Sequence, residues 1–264
     1  MNRCFGERVQ KPLPYGRGSV LICVSALFTL QAQDARQIVA ESQKRTQSKS
    51  QQYEGTIEVF GSSNKVSLKR WEFERTGSFG TSKSILRFTA PAEVKGVALL
   101  IVNHPDRSSD QWMWTPALER DRHIALQDRS TRFFGTDFSF EDLEERDVNQ
   151  FDYKLLGEQT VDGQQCWKIE SKPKESKSSQ YTSAVIFIRK DIYVAIQIES
   201  YTKDKLVRRI HYGDIQKLDE IWTARTIEVY DENRKSRTVL KLEKLKYNVP
   251  MKDENFTLEA LKRG

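Results

Sequence analysis

Most of the chain after residue 53 consists of short segments in which apolar and polar residues alternate, with turn-forming residues between them. Alternation at every second position places side chains on opposite faces of a β-strand. In the segment 193–201, for example, Val194, Ile196 and Ile198 are predicted to share one face. The segments make about eleven strands, twelve if each is counted separately, and such a number at this spacing is typical of an antiparallel sandwich or barrel. The predicted strands are 54–60, 66–75, 84–90, 97–102, 111–115, 151–159, 164–171, 184–189, 193–201, 206–215, 222–230 and 237–247.

Turn signals join several of these strands into hairpins. GSSNK (61–65), TVDG (160–163) and DENRK (231–235) each separate two alternating segments by a few turn-forming residues, which is the pattern of a β-hairpin. The apolar positions change phase between Leu68 and Trp71. Since a shift of one residue moves a side chain to the other face of a sheet, this change predicts a β-bulge or a bend.

Helical periodicity interrupts the strands near both ends and in the middle of the chain. The first predicted helix covers 34–51, with Asp34 as its N-cap and a narrow apolar stripe of Ala35, Ile38 and Val39. No Gly-, Pro- or Ser-rich linker divides the chain, so a single domain is predicted after the N-terminal region. The further predicted helices are 139–146 and 256–263.

The charge distribution argues against a nucleic-acid partner. Half of the formal net charge of +6 lies near the N-terminus, where Arg3, Arg8, Lys11 and Arg17 are opposed by Glu7. The remaining chain is nearly balanced in charge, whereas nucleic-acid binding needs Lys and Arg clustered on one face.

An apolar run near the N-terminus predicts export. Residues 20–30 (VLICVSALFTL) are too few to cross a bilayer, which takes about 20 residues, but they fit the hydrophobic region of a signal peptide. We therefore predict a signal peptide over residues 1–32, cleaved after Ala32, and a mature domain over residues 33–264. The alternative for this run is a buried hydrophobic strand.

The sequence lacks the motifs of common catalytic and cofactor sites. It contains no GxSxG, GxxxxGK[ST], HExxH or CxxC pattern. His104, His123 and His211 lie far apart without the spacing of metal ligands. Cys166 is alone in the predicted mature chain, beside Trp167, and is predicted to be a small core residue and not a nucleophile. No cofactor is therefore predicted.

An acidic cluster leaves two interpretations open. Glu141, Asp142, Glu144 and Glu145 would resemble an acidic active site if burial raised the pKa of one of them. On a short helix the same carboxylates would simply lie near its N-terminus, where they stabilise the helix dipole. The second interpretation is the simpler one.

Aromatic residues are concentrated in one region. More than half of the Phe and Trp residues lie between positions 71 and 140, and Trp112 and Trp114 are predicted to share one face of a strand. Such residues either fill a core or line an apolar cavity, and composition alone favours the core. A barrel of more than about eight strands, however, has an interior too wide for its own side chains. The strand count therefore predicts a hydrophobic pocket.

An ordered series of motifs resembles a known family. The series is RFTAPAEVKGVALL (87–100), DQWMWTPALERDRHI (110–124), FFGTDFSFEDLEERD (133–147), YKLLGEQTVDGQQCWKIESKPK (153–174) and FTLEAL (256–261). It resembles the outer membrane lipoprotein-sorting protein family, the broad LolA-like group, over essentially the whole predicted mature chain. GTDFSFEDL is the most specific motif. The match is to the broad group, so no ligand-contacting residue is transferred from the LolA carrier itself.

The resemblance implies a fold and a function. The implied fold is mainly β, an incomplete and strongly curved antiparallel β-barrel with helices covering its open side as a lid. The implied protein is a non-enzymatic periplasmic carrier. Its apolar interior shields the acyl chains of a lipoprotein or lipid during transfer toward the outer membrane, and an inner-membrane transporter is a possible loading partner.

On this hypothesis three groups of residues are candidates for the site. The first group, the cavity residues, could instead pack the core. The second, the lid, could instead be an ordinary connection that plugs the barrel end, and the third, the headgroup arginines, could instead be surface arginines. The predicted cavity residues are Trp71, Phe73, Phe88, Leu99, Ile101, Trp112 and Trp114. The predicted lid or hinge consists of Phe133, Phe134, Gly135, Phe138 and Phe140. The candidates for contact with an anionic headgroup are Arg87 and Arg122.

Two other functions compete with the carrier. The same scaffold with a filled interior would be a protein-binding accessory module of an envelope transporter or assembly system. A periplasmic hydrolase using Asp137, Asp142 or Glu144 is the third interpretation.

Overall fold

The structure, a computed structural model, describes Met1 and residues 35–61, 66–175 and 177–263. The predicted signal peptide (1–32), its cleavage site and the helix cap Asp34 lie outside the described residues. Most of the GSSNK turn also lies outside them.

A single open antiparallel sheet of 13 strands forms the body of the protein. Its spatial order is β6-β5-β4-β3-β2-β1-β13-β12-β11-β10-β9-β8-β7. The sheet curves but does not close, which confirms the predicted mainly β, incomplete barrel. The strands are β1 (Ser50–Phe60), β2 (Val66–Thr76), β3 (Lys83–Ala90), β4 (Ala98–Val102), β5 (Asp110–Thr115), β6 (Arg120–His123), β7 (Phe151–Val161), β8 (Gln164–Pro173), β9 (Ser183–Arg189), β10 (Ala195–Thr202), β11 (Lys205–Leu218), β12 (Ile221–Asp231) and β13 (Ser236–Tyr247).

Strand β6 was missed in the sequence. Its four residues, RDRH, are all polar and show no alternation. A short, charged strand at a sheet edge is a common way to discourage pairing with another chain. Such a strand lacks the apolar pattern on which sequence analysis depends.

The chain between β6 and β7 crosses the sheet from one edge to the other. Strands β6 and β7 follow one another in the chain but lie at opposite edges, and residues 124–150 connect them. We call these residues the crossing segment, and the face of the sheet that they cover the inner face. The helix predicted at 139–146 is wrong, because this region contains one 3-10 turn, Glu141–Leu143. Its charged side chains have buried tertiary partners instead, described below.

The bulge predicted in β2 lies on its neighbour β3 instead. The pairing of β2 with β3 shifts register between Arg70 and Trp71. Leu68, before the shift, is 52% exposed, whereas Trp71, after it, is 1% exposed. The extra residue is Thr89 of β3, because Arg70 and Trp71 pair with Ala90 and Phe88. Strand β2 itself keeps an unbroken register with β1, so Leu68 and Trp71 lie on opposite faces by ordinary alternation.

A second bulge corrects the prediction for β10. The register between β9 and β10 shifts between Ala195 and Gln197, which leaves Ile196 as an extra residue. Ile196 packs with Phe187 in a cluster on the outer face, whereas Ile198 belongs to the main core on the inner face. The two isoleucines therefore do not share a face, because the bulge interrupts the period of two.

Two helices flank the sheet. Helix α1 covers 35–46, shorter than the predicted 34–51 because residues 50 and 51 belong to β1. Its buried Ala35 and Val39 contribute to the main core. Helix α2 (Leu258–Leu261) packs on the outer face of β4. Among the described residues no helix combines the length and apolar character needed to cross a membrane.

Candidate ligand-binding cavity

A cavity of about 400 Å³ lies between the inner face and the elements that cover it. Strands β9 to β13 supply its floor, and helix α1 together with the end of the crossing segment supplies its roof. Small-molecule sites typically have volumes of about 300–1,000 Å³. The space therefore has the size of a ligand site.

The floor of the cavity is aliphatic. Its residues come from strand positions that face inward, such as Ile186 and Ile188 on β9, because alternate residues share one face. Apart from Val194, which precedes β10, the floor side chains belong to the main core cluster or pack against it. The aliphatic floor residues are Ile186, Ile188, Val194, Ala195, Ile198, Ile210, Ile227 and Leu242.

Glu144 in the roof is neutralised by buried partners. Its Oε1 lies 2.7 Å from Arg129 Nη1 and accepts a hydrogen bond from Gln111 Nε2 at 2.9 Å. Its Oε2 contacts Lys177 Nζ. A buried carboxylate is tolerated only when cations and hydrogen bonds compensate its lost hydration. This set of contacts fixes the crossing segment against β5.

Two further carboxylates fasten the crossing segment to the middle of the sheet. Asp142 forms an ion pair with Arg208 of β11 and accepts a hydrogen bond from the Tyr181 hydroxyl at 2.8 Å. Asp137 is fully buried and accepts a hydrogen bond from the hydroxyl of Thr238 on β13 at 2.8 Å. The segment is therefore held by polar contacts to several separate strands.

Burial raises the pKa of the carboxyl groups of Glu141 and Glu145. Glu145 Oε1 lies 3.4 Å from Arg75 Nη1, and this cation opposes the rise. Glu141 accepts the backbone N–H of Gln180 at 2.8 Å. Each carboxylate of the roof is therefore held by partners within the protein.

Arg146 differs from the other charged groups of the roof. Its guanidinium carbon lies 4.2 Å from the centre of the Phe151 ring, and Nη2 donates to Ser171 Oγ at 2.8 Å. Within the part of the chain that the structure describes, no carboxylate forms an ion pair with it at 4.0 Å or less. It is only partly buried.

Two tyrosines line the cavity near Arg146. Tyr153 on β7 is the direct cross-strand partner of Ser171, the residue that Arg146 contacts. Tyr212 on β11 lines the same cavity. Burial raises the pKa of both tyrosines to about 12, and the positive charge of Arg146 opposes that rise. Neither hydroxyl has a hydrogen-bond partner among the described residues.

The residues predicted to line the cavity do not line this space. Trp71 and Phe88 are almost fully buried in the main core. The Trp71 ring lies 5.8 Å from that of Phe88, which lies 5.3 Å from that of Phe133. These side chains fill the inner face of the other half of the sheet. Their contact with a ligand stays a prediction, as it does for their neighbours in the same cluster, Phe73, Leu99 and Ile101.

Trp112 and Trp114 lie on the outer face. They are the cross-strand partners of Leu100 and Ala98, and all of these residues pack with Leu261 of α2. The period of two correctly placed both tryptophans on one face of β5. The period could not show whether that face is the inner or the outer one, because α2 covers the outer face there and makes it apolar as well.

The aromatic part of the crossing segment is a plug in the main core. Phe133 is fully buried, Phe138 and Phe140 are each 4% exposed, and none of them lines the cavity. Phe134 and Gly135 adopt positive φ angles of 44° and 75°, which turn the chain between the aromatic residues. The role of these residues as a lid or hinge stays a prediction.

The arginines predicted for a headgroup also lie away from the cavity. Arg87 Nη2 donates to the carbonyl oxygens of Ala260 and Leu261, at 2.9 and 3.0 Å. Because these carbonyls belong to α2, Arg87 caps that helix on the outer face. Arg122 is exposed on the edge strand β6.

The remaining candidates for chemistry have structural partners. Asp137 is tied to β13, and Asp142 and Glu144 are ion-paired as described above. In the described ranges no three or more His, Cys, Asp or Glu side chains are grouped as metal ligands. Cys166 is fully buried, which confirms the predicted core position, and burial raises the pKa of its thiol.

Sequence analysis missed the residues that line the cavity because their sequence pattern is not distinctive. The inward isoleucines of β9 and β10 alternate like those of any half-buried strand. Tyr153 and Tyr212 resemble ordinary strand residues. Arg146 lies in a run of charged residues, and only the tertiary contacts show that Glu144 and Glu145 form ion pairs whereas Arg146 forms none with the residues that the structure describes.

These features define a class of protein. An open, curved antiparallel sheet, crossed on its inner face by one segment and partly covered by a helix, leaves an apolar cavity between sheet and cover. This is the architecture of a LolA-like half-barrel.

The chain matches a family model over residues 80–263, more than half of its length, and belongs to that family, which is described as an uncharacterized protein. No curated protein sequence matches the chain.

Solved structures with this fold support the resemblance noted in the sequence. A domain from Vibrio parahaemolyticus assigned as an outer membrane lipoprotein-sorting protein has a TM-score of 0.83 and 24% identity, covering 88% of this chain and 100% of its own. A DUF1329 family protein from Desulfovibrio piger also has a TM-score of 0.83, with 28% identity over 88% of this chain and 99% of its own. A LolA superfamily protein from Nitrosomonas europaea has a TM-score of 0.70 and 18% identity, over 86% and 98%. The predicted resemblance to the LolA-like group is confirmed at the level of the fold.

Proposed function

We propose that the protein is a non-enzymatic carrier that binds an acyl chain of a lipid or lipoprotein in this cavity. The observation that supports the proposal is the contrast between an aliphatic floor and a roof whose carboxylates are already occupied. An apolar space of this size suits a hydrocarbon chain, and paired carboxylates are poor general acids or bases.

The free energy of burying a hydrocarbon chain explains why a lipid needs a carrier. Each methylene removed from water contributes about 0.8 kcal/mol, so a sixteen-carbon chain gains on the order of 12 kcal/mol by burial. A lipid leaving a membrane loses burial of that size. A carrier must therefore supply comparable apolar contact and then give it up at the acceptor.

Helix α1 is the cover that we expect to move for loading and release. Arg36 Nη1 donates to the carbonyl of Val148 at 2.9 Å, and the Gln43 side chain contacts both the Arg146 carbonyl and the Val148 N–H. These few hydrogen bonds join α1 to the crossing segment. Displacing α1 would open the cavity without breaking the strand ladder.

The proposed location and partners extend the same hypothesis. With the predicted signal peptide the carrier would act in the periplasm, transferring its ligand toward the outer membrane after loading by an inner-membrane transporter. The fold shared with the Vibrio lipoprotein-sorting domain and the Nitrosomonas LolA superfamily protein supports this assignment.

The test is displacement of a fluorescent fatty acid, together with native mass spectrometry of protein purified from a cell-envelope fraction. Ala195 lies on the cavity floor, so Ala195→Trp should fill the space and lower probe affinity at least about tenfold, the loss expected when a ligand of this kind loses several methylene contacts. Ala117 is exposed and distant from the cavity. Ala117→Trp is therefore the matched control and should bind like the wild type.

Two outcomes would contradict the carrier. If the wild-type protein carries no lipid and takes up no probe, the cavity does not bind acyl chains. The protein-binding accessory module then becomes the better interpretation. Equal binding by a folded Ala195→Trp protein and the wild type would place the ligand elsewhere. Circular dichroism of each variant confirms that it is folded.

A further inference from the structure

The cavity contains one cationic group whose charge the described residues leave uncompensated. Arg75 and Lys177 of the lining are ion-paired with Glu145 and Glu144. The partners that the described residues offer to the Arg146 guanidinium are a ring face and a serine hydroxyl. A guanidinium has five N–H donors in a fixed fork, so most of the donor capacity of Arg146 is unused.

Two tyrosine side chains line the same cavity as this guanidinium. Arg146 is placed beside Tyr153 through Ser171, the cross-strand neighbour of that tyrosine. The Tyr212 hydroxyl belongs to the same lining and has no partner in the described part of the chain. Since the pKa of both tyrosines is raised to about 12 by burial, their hydroxyls remain protonated donors at neutral pH.

We propose that Arg146, Tyr153 and Tyr212 form a subsite for the anionic headgroup, a carboxylate or phosphate, of an amphiphile whose hydrocarbon chain lies along the isoleucine floor. The inference rests on the proposed carrier function and names its ligand class. A guanidinium can bind a carboxylate or phosphate through two parallel hydrogen bonds, and charge-assisted bonds of this kind are about twice as strong as neutral ones.

The arrangement also favours an anion over other headgroups. Asp142, Glu144 and Glu145 are ion-paired, as described above. Glu141 accepts hydrogen bonds from Ser179 and Gln180, and burial raises its pKa, which favours its neutral form. An anion therefore meets little uncompensated negative charge at the end of the floor. A cationic or neutral head would leave Arg146 unpaired when the chain excludes water. The cavity should therefore discriminate by headgroup charge at equal chain length.

The experiment compares three ligands of the same chain length by isothermal titration calorimetry: dodecanoate, dodecyl phosphate and dodecanol. The wild type should bind both anions at least about tenfold more tightly than dodecanol, the factor expected from a single charge-assisted hydrogen bond. Arg146→Gln should bring the three affinities to within about twofold of each other, with dodecanol unchanged. Arg120→Gln, at an exposed arginine outside the cavity, is the matched control and should keep the preference.

A second, more conservative variant keeps the test decisive if Arg146→Gln does not fold. Tyr212→Phe preserves the ring that packs against the core and removes only the hydroxyl, so it should weaken anion binding several-fold and leave dodecanol binding unchanged. Arg146→Lys should restore part of the preference, because it keeps the charge without the fork.

The possible results are distinct. An anion preference that survives in folded Arg146→Gln and Tyr212→Phe, or equal binding of dodecanol and dodecanoate by the wild type, overturns the subsite and leaves the carrier intact. Failure of all three ligands to bind overturns the carrier as well. Competition by millimolar inorganic phosphate alone would support the anion subsite and assign it to a free anion; absence of competition assigns it to a lipid headgroup.

Discussion

The indole ring of Trp71 on β2 occupies the space beside Gly55 on β1 that a side chain at position 55 would need. The two residues are direct cross-strand partners, and a Cβ at position 55 would overlap the indole Nε1. Trp71 is 1% exposed and packs against Phe88. The glycine therefore allows the largest side chain of the main core to lie flat on the sheet.

We predict that Gly55→Ala destabilises the protein by about 1–3 kcal/mol, the usual effect of overpacking a filled core. Gly213→Ala is the matched control, because the atom nearest to its new methyl group would be Thr226 Cβ, at an ordinary contact distance of 3.8 Å. Urea unfolding of both variants measures the difference. Equal stability of the two variants would show that the Trp71 ring can move aside freely.

The buried ion pairs of the crossing segment give a second prediction. Glu144→Gln leaves Arg129 and Lys177 buried without their carboxylate, and we expect a loss of about 3–5 kcal/mol in the free energy of unfolding. Glu158→Gln removes the partner of Lys190 in an exposed ion pair and should cost about 1 kcal/mol or less. A comparable, small effect of both substitutions would mean that the roof is more hydrated than its burial indicates.

Because Trp114 lies on the outer face, its substitution should lower stability without affecting ligand binding. Trp114→Ala should lower the free energy of unfolding by about 2 kcal/mol, less than for a fully buried tryptophan, because the side chain packs on α2 but remains partly exposed. Fatty-acid probe affinity should not change. Ile198→Ala, on the cavity floor, should lower both stability and probe affinity. A loss of binding in folded Trp114→Ala protein would return the site to the tryptophan face predicted from the sequence.

The role of α1 as a cover predicts a kinetic effect. The double variant Arg36→Ala, Gln43→Ala loses the hydrogen bonds between α1 and the crossing segment. We expect faster amide hydrogen exchange in α1 and faster association and dissociation of the probe, measured by stopped-flow fluorescence. Arg45→Ala, which removes an exposed pair with Glu41 within α1, is the control and should leave the rates unchanged. Unchanged rates in the double variant would show that the ligand enters by another route.

Local patterns predicted much of the fold. Alternation identified nearly all strands, but the change of phase before Trp71 does not mark a bulge in β2, because the extra residue belongs to β3. The same reasoning failed at Ile196, where alternation continues in the sequence but an extra residue reverses the face. It also failed at 139–146, where charged residues resembled a helix but are held by buried partners.

By itself, the sequence determined that this chain forms antiparallel strands with an apolar side, because strand periodicity depends on neighbouring residues, and the resemblance to the LolA-like group implied their curvature. Only the tertiary structure decided which half of the inner face is filled and which is hollow. The aromatic residues around Trp71 receive the plug of the crossing segment, whereas the inward isoleucines Ile186, Ile188 and Ile198 line the space below α1 and the charged roof. That difference arises from contacts between residues far apart in the chain, so no local pattern contains it.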